Sequence, residues 1–208
     1  MKKVVFSLFA LAAMGLSANA QQVVKFGPKA GVNFANLNGS DVDTDMKVGF
    51  HVGAFAEIFF TDKFALQPEL LYSTQGAKGE IMSGTPLATD FEAKYDFINI
   101  PIMAKYYFTE GLAIEAGPYV GFLMKAENEI SGDSSALSGD VKDEMKSVDF
   151  GLGFGASYSL DNGFFAGARY SLGLSKLGEE NDSSEPISVG LGEDIKNSVI
   201  QVSVGYKF

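Results

Sequence analysis

The chain of 208 residues contains no cysteine and no tryptophan, and His51 is its one histidine. Without cysteine we expect neither a disulfide framework nor a cysteine-linked lipid anchor. Beyond residue 20 no run approaches the roughly 18 apolar residues of a membrane-spanning helix, so we expect none. His51 has Gly49 and Gly53 two positions away, so no serine pairs with it along its own strand, and a partner on another strand cannot be read from sequence. We therefore expect no enzymatic activity.

The first 20 residues have the pattern of a secretory signal peptide. Lys2 and Lys3 form a basic start, residues 4–16 are apolar, and Ala18-Asn19-Ala20 is a small-residue cleavage site. We therefore predict a signal peptide at 1–20 and one domain at 21–208.

The stretch from Asp96 to Lys125 alternates between apolar even positions and polar, small or amphipathic odd positions. Two such runs joined by a tight turn are typical of a β-hairpin with one apolar face. Each run has at least 12 residues, whereas strands of globular sheets cluster at about 5 to 6. A tilted strand needs about 9 to 11 residues to cross a bilayer. The hairpin therefore predicts a membrane β-barrel.

Eight runs have the same parity, with the apolar residues at even positions. They cover 25–36, 47–60, 63–76, 95–108, 111–125, 147–160, 163–174 and 196–208. Two-residue turns, Thr61-Asp62, Thr109-Glu110 and Asp161-Asn162, alternate with long polar segments at 37–46, 77–94, 126–146 and 175–195. Outer-membrane barrels have short periplasmic turns and longer extracellular loops. The pattern predicts an all-β, eight-stranded antiparallel up-and-down transmembrane β-barrel with both termini in the periplasm.

Outward aromatic side chains are predicted to form a girdle at each rim, where amphipathic rings settle at the level of the lipid headgroups. The girdle on the side of the short turns contains Phe60, Phe64, Tyr106, Phe108, Tyr158, Phe164, Tyr206 and Phe208, together with Phe26. The opposite rim has Phe34, Phe50, Tyr72, Phe122, Phe150 and Tyr170.

The negative charge is concentrated in the long segments. Residues 37–47, 76–94, 126–146 and 175–194 contain 18 acidic and 6 basic residues, and the rest of the chain after residue 20 has 8 of each. We therefore expect acidic extracellular loops with a structural or interaction role, and no binding of nucleic acid. Asp41, Asp43 and Asp45 have calcium-loop spacing, but Met46 and Val52 replace the glycine and glutamate that such a loop requires, so we predict no metal site. Weak divalent bridging between these loops and lipid phosphates stays open.

Charged residues at inward positions are predicted to form a network inside the barrel. Its members are Lys29, Glu57, Glu69, Lys105, Glu115, Lys125, Asp149 and Arg169, beside the inward apolar Phe55, Phe59, Leu71, Tyr119 and Phe165. Side chains fill an eight-stranded interior, and buried charges need partners. We therefore predict a closed, charge-paired lumen without a cofactor. A small pore and a soluble ligand-binding barrel of lipocalin type remain alternatives.

Five motifs in order carry a family resemblance: INIPIMAKYYF, AGPYVGFLM, DFGLGFGASY, ARYSLGL and VIQVSVGYKF. With the signal peptide, they resemble the PorT-type or OmpA-like small outer-membrane β-barrel proteins of Gram-negative bacteria. The resemblance implies a single non-enzymatic barrel in the cell outer membrane, and some members are associated with protein secretion. It also implies that Phe208 is presented to the barrel assembly machinery. The expected partners are outer-membrane lipid, that machinery, and an unidentified protein at the extracellular loops.

Overall fold

The computed structural model describes residues 23–38, 44–81, 89–130, 139–140, 146–175 and 196–208. Eight long strands account for most of them: β1 Val24–Asn38, β2 Thr44–Phe59, β3 Phe64–Ile81, β4 Thr89–Tyr107, β5 Leu112–Ile130, β6 Val148–Ser159, β7 Phe164–Gly173 and β8 Lys196–Tyr206. Among these residues, no helix is long and apolar enough to cross a bilayer. The predicted signal peptide at 1–20 lies outside the described residues.

The eight strands form one closed antiparallel sheet. Its order is β4-β3-β2-β1-β8-β7-β6-β5, and β4 also pairs with β5. Each strand therefore pairs with its neighbours in the chain, and β1 pairs with β8. Closure satisfies the backbone hydrogen bonds that an open sheet leaves at its edges. The predicted eight-stranded up-and-down barrel is confirmed.

Inward and outward side chains alternate along the strands, as the period of two predicts. In β6, every second residue from Asp149 to Gly153 is buried, and the residues between them are exposed. The outward apolar side chains include Val52, Leu70 and Ile102, with exposed fractions of 48%, 49% and 41%. An apolar band therefore surrounds the barrel.

Short connections join the strands at one end of the barrel, called here the turn end. They span 60–63, 108–111 and 160–163, so the predicted two-residue turns are each one residue too short on both sides. The side chains of Thr61 and Thr109 accept hydrogen bonds from the backbone N–H of Phe64 and Leu112, each at 3.0 Å. These side-chain bonds satisfy backbone donors where the ladder ends, which allows the longer turn.

The strands reach further at the opposite end, called here the loop end. Pairing between β3 and β4 continues from Gly76 and Lys94 to Ile81 and Thr89. β5 runs to Ile130, and the segment Gly139–Asp140 pairs with its residues 127–128. The predicted loops 77–94 and 126–146 are therefore partly wrong, because β3, β4 and β5 extend as a wall about 20 Å long. Outside lipid, the outward face of a strand need not be apolar, so the alternation fades while the hydrogen bonding continues.

A β-bulge interrupts the pairing of β4 with β5. Asp96 is opposite Lys125, whereas the next residue, Phe97, is opposite Leu123. Met124 and Lys125 therefore both face outward, and Ala126 returns to the interior. Such a bulge inserts one residue and changes the direction in which the following side chains point.

Candidate functional site

The centre of the barrel contains a buried guanidinium group between two carboxylates. Arg169 binds Glu69 through Nη2–Oε1 and Nη1–Oε2 contacts of 2.6 and 3.0 Å, and its Nε lies 2.7 Å from Glu115 Oε1. Lys29 Nζ lies 3.1 Å from Glu69 Oε2, and Gln67 donates to Glu69 Oε1 at 2.7 Å. Because the contact with Glu69 is bidentate and desolvated, it holds β3 and β7 in a fixed relation across the lumen.

A second charged cluster lies nearer the turn end, around Glu57. Its two carboxylate oxygens lie 3.1 Å from Lys105 Nζ and 2.7 Å from Lys207 Nζ. Tyr107 donates its hydroxyl to Glu57 Oε1 at 2.5 Å and accepts from Lys207 Nζ at 2.9 Å. Lys105 also lies 4.0 Å from Glu115 Oε2, which links the two clusters. Six of the eight predicted network residues, Lys29, Glu57, Glu69, Lys105, Glu115 and Arg169, are thus brought together, with Lys207.

Asp149 is buried at 1% exposure, but it is held differently from the prediction. Its carboxylate accepts hydrogen bonds from the hydroxyls of Tyr119, at 3.0 Å, and Ser175. Among the described residues, no lysine or arginine nitrogen lies within 4.0 Å of it. The prediction that all inward acids meet bases is therefore wrong here, because hydroxyl donors take the place of a cation.

Lys125 lies outside the interior, so its predicted place in the lumen network is wrong. Its side chain is 56% exposed, and its Nζ lies 2.7 Å from Glu127 Oε1. The cause is the β5 bulge, which turns Lys125 outward against the parity of the residues before it. The outward position of Lys125 could not be predicted from the alternation of β5 alone. A bulge is recognised from the pairing of a strand with its neighbour, and the sequence does not show that pairing.

His51 does have a serine partner, which the sequence could not show. Its Nε2 lies 2.9 Å from Ser203 Oγ on β8, and its Nδ1 lies 2.7 Å from Asn33 Oδ1 on β1. Asn33 also donates to the backbone oxygens of Phe50 and Thr74, at 3.0 and 2.9 Å. These last two bonds lie where the pairing of β2 with β3 shifts register. The arrangement therefore connects β1, β2, β3 and β8.

An apolar cluster fills the interior at the loop end, and the sequence reasoning did not identify it. This loop-end cluster consists of Ala77, Ala93, Tyr95, Phe97, Leu123 and Ala126, all 4% exposed or less. The bulge maintains it, because regular alternation past Leu123 would bring Lys125 inward instead of Ala126. Tyr95 and Phe97 stand at odd, inward positions of their strand. This parity is the sequence signal from which the cluster could have been predicted.

Aromatic rings pack inside the barrel around the Glu57 cluster, between Arg169 and the turn end. Phe55 and Phe165 meet edge to face with centroids 5.3 Å apart, and Phe59 and Tyr107 lie 5.5 Å apart. Below them an open depression of about 790 Å³ has Tyr107 and Lys207 among its lining residues. The Arg169 centre is therefore separated from this depression by the rings and by the Glu57 cluster, whose members Tyr107 and Lys207 line the depression.

Little empty space remains in the centre. A cavity of about 10 Å³ is lined by residues that include Leu71, Met103, Tyr119 and Arg169. About one water molecule needs that volume. At the level of Arg169, the side chains of the barrel therefore fill the interior.

The outer surface has the aromatic residues that the sequence places at the rims. At the turn end, Phe60, Phe64, Phe108, Tyr158, Phe164 and Phe208 are 54% to 67% exposed. Tyr106 and Tyr206 are half-buried because each packs between two rings, with centroid distances of 4.9 to 5.0 Å. At the loop end, Phe50, Phe122, Phe150 and Tyr170 are 36% to 54% exposed. Aromatic side chains therefore flank the apolar band on both sides.

A closed antiparallel barrel with an apolar outer band, aromatic rims and a polar, filled interior is a transmembrane β-barrel. The family model described as the outer membrane protein beta-barrel domain matches residues 19–179, and the chain belongs to this family. The protein is therefore an integral protein of the outer membrane, which removes the soluble barrel from the alternatives.

Solved structures of small outer-membrane proteins share the fold. Ail, the attachment invasion locus protein of Yersinia pestis, is 15% identical over 88% of this chain and 98% of its own, with a TM-score of 0.51. Neisserial surface protein A is 18% identical over 88% of this chain and 97% of its own, also with a TM-score of 0.51. At these identities the likeness shows the fold alone. No curated protein matches the sequence.

Proposed function

We propose that the protein is a closed, non-conducting outer-membrane barrel that has a structural or interaction role through acidic extracellular loops. The observation that carries this proposal is the filled interior. A charged centre lies between the loop-end cluster and the packed rings near the turn end. A solute crossing the barrel would have to separate Arg169 from Glu69 and displace Tyr95 or Phe97. Eight strands leave no channel beside those side chains.

We also propose that the protein has no enzymatic activity, although Ser203, His51 and Asn33 are arranged like a nucleophile, a base and its orienting group. These residues are 4%, 1% and 0% exposed. The space around them is occupied, so a substrate carbonyl could not approach Ser203 without opening the barrel. Their proposed role is to hold neighbouring strands together.

The acidic segments are the part of the molecule available to a partner. Of the 18 acidic residues counted above, the described residues Asp45, Glu92, Glu127 and Glu129 lie at the loop end, where β3, β4 and β5 extend past the rim. We propose that this end is extracellular and meets an unidentified protein partner. Three finer proposals rest on the sequence resemblance. They are that the protein belongs to the PorT-type group, that it is associated with secretion, and that the assembly machinery recognises Phe208.

Proteolysis of intact cells tests the proposed orientation. A protease added outside should cut near 133–138 or 179–184, in the long segments, and leave the turn at 160–163 intact. Cells with a permeabilised outer membrane are the control, since there the turn end also becomes accessible. Cutting at 160–163 in intact cells, with the long segments protected, would invert the orientation.

A further inference from the structure

The depression at the turn end has the size and the lining of a ligand site. Its volume is about 790 Å³, and small-molecule sites occupy roughly 300 to 1,000 Å³, often at the mouths of β-barrels. Aromatic and charged side chains share its lining, among them Phe59, Tyr107, Lys25 and Lys207. A closed lumen does not by itself account for such a lining.

The floor of the depression has an excess of positive charge. Lys207 lies there, with its Nζ 2.7 Å from Glu57 Oε2, 2.9 Å from the Tyr107 hydroxyl and 3.0 Å from Ser159 Oγ. Lys105 contacts the same carboxylate at 3.1 Å, so two ammonium groups share one acid. The two charged clusters described above together contain four bases and three acids. One positive charge of these clusters is therefore not balanced by a carboxylate within them.

Lys25 adds a further positive charge on the wall of the depression. It is exposed, and its Nζ lies 5.5 Å from the ring centroid of Phe59, which is within the range of a cation–π contact. Among the residues that the structure describes, no carboxylate oxygen lies within 4.0 Å of this nitrogen. An anionic group that enters the depression therefore meets an ammonium group without a carboxylate partner, beside an aromatic ring.

The rim of the depression has the opposite charge. Each of the three turns contributes one carboxylate to the lining, namely Asp62, Glu110 and Asp161, and all three residues are exposed. A simple anion would be repelled by these acids, and a simple cation would be repelled by Lys25 and Lys207. A ligand with a carboxylate at one end and an ammonium group at the other matches both the wall and the rim.

We propose that the turn-end depression binds the carboxyl-terminal end of a short peptide, with the carboxylate at Lys25 and an ammonium group at the acids of the turns. The register of the strands indicates the length of this peptide. Lys25 is opposite Glu57 in the ladder of β1 and β2, three residues before the turn that begins at residue 60. The rim therefore lies about 10 Å beyond Lys25, and about three extended residues span that distance. Because the Glu57 cluster closes the floor, the peptide enters and leaves by the same mouth.

The test is a calorimetric titration of the full-length protein, folded in neutral detergent micelles, with the tripeptide lysyl-alanyl-phenylalanine. Lys25→Gln should weaken binding by about tenfold, which is the usual effect of losing one hydrogen bond to a charged group. The matched control is Lys63→Gln, because Lys63 is an exposed lysine at the same end but does not line the depression. This control should bind like the unmodified protein. Unchanged migration of the folded form on unheated gels verifies folding of each variant.

The same tripeptide with an amidated carboxyl terminus identifies the group that Lys25 binds. It should bind the unmodified protein about tenfold more weakly than the free acid does, and Lys25→Gln should cause no further loss, because both changes remove the same contact. Equal or tighter binding of the amide, an equal loss in the Lys63→Gln control, or no binding of the free acid at millimolar concentration would overturn the proposal. These outcomes do not depend on whether the lumen conducts ions or on which side of the membrane the turn end lies.

Discussion

Arg169 binds two interior carboxylates, because its guanidinium group contacts both Glu69 and Glu115. Lys29 remains beside Glu69 and Lys105 lies 4.0 Å from Glu115, so each acid has a second base. The second contacts are longer and are made by lysine, which lacks the rigid planar fork of donors that matches a carboxylate. Arg169 is therefore the residue on which the geometry of the centre depends.

Replacing Arg169 with alanine should lower the free energy of unfolding by about 3 to 5 kcal/mol, because it leaves buried carboxylate charge undercompensated. Urea unfolding in lipid vesicles measures this change. Lys125→Ala is the matched control, since it removes a base from an exposed pair and should cost about 1 kcal/mol or less. Equal losses for the two variants would show that the central pairs are not desolvated. Adding Glu115→Gln to Arg169→Ala should recover part of the loss.

The members of the interior network could be predicted from parity, but their partners could not. Lys29 and Glu69 are 40 residues apart, and Glu69 and Arg169 are 100 apart. Their contacts depend on which side chains face each other across the lumen, and a one-dimensional pattern does not contain that. The partners of Asp149 could not be predicted for the same reason. Its hydroxyl donors are Tyr119, on β5, and Ser175, which follows β7.

The bulge in β5 is the element that separates the apolar interior from the charged exterior at the loop end. Removing Lys125, one of the two consecutive outward residues of the bulge, should leave Ala126 inward and Glu127 outward, since regular alternation from Leu123 gives the same faces. Deletion of Lys125 should therefore change the free energy of unfolding by about 1 kcal/mol or less.

Deletion of Ala126 provides the contrast. Regular alternation would then bring Lys125 into the loop-end cluster, and retention of the bulge would bring Glu127 there instead. Either charge would lie among Tyr95, Phe97 and Leu123, and should cost about 3 kcal/mol or more. Urea unfolding compares the two deletions. A larger loss for the Lys125 deletion would contradict the assigned register.

The lipid face of β4 gives a second test at the scale of one strand. Ile102 is outward, 41% exposed, and lies between the two aromatic rims. Ile102→Arg should cost about 2 to 4 kcal/mol of unfolding free energy if the residue lies near the bilayer midplane. Leu160→Arg, in a turn at the interface, is the control and should cost about 0 to 1 kcal/mol. A neutral Ile102→Arg would place that residue away from the hydrocarbon.

The number of strands, and the side of the barrel on which each side chain lies, could be predicted because lipid requires an apolar residue at every second position. The ends of β3, β4 and β5 could not, because that requirement stops where the lipid stops. Residues 77–81 and 89–94 contain glycine and charge, which is typical of a loop, yet they continue the ladder.

At the scale of the whole molecule, the outer surface and the interior of the barrel have different roles. The outer apolar band and its aromatic rims hold the barrel in the membrane, and we propose that the charged centre with its apolar clusters closes the lumen. Described acidic residues, among them Glu92, Glu127 and Glu129, lie at the loop end, where β3, β4 and β5 extend beyond the rim. A small pore would have the same strands in the same membrane. The closed lumen is therefore the feature that distinguishes our proposal from the small-pore alternative.

Single-channel recording in planar lipid bilayers tests the closed lumen most directly. Purified, folded protein should insert without producing stable current steps, because the cavity beside Arg169 has a volume of about 10 Å³, which is the space of about one water molecule. Arg169→Ala should lose stability while opening little conductance, since Tyr95, Phe97, Phe55 and Phe165 remain in place. Stable, ion-selective currents from the unmodified protein, abolished or reshaped by Arg169→Ala, would contradict the account and establish a pore.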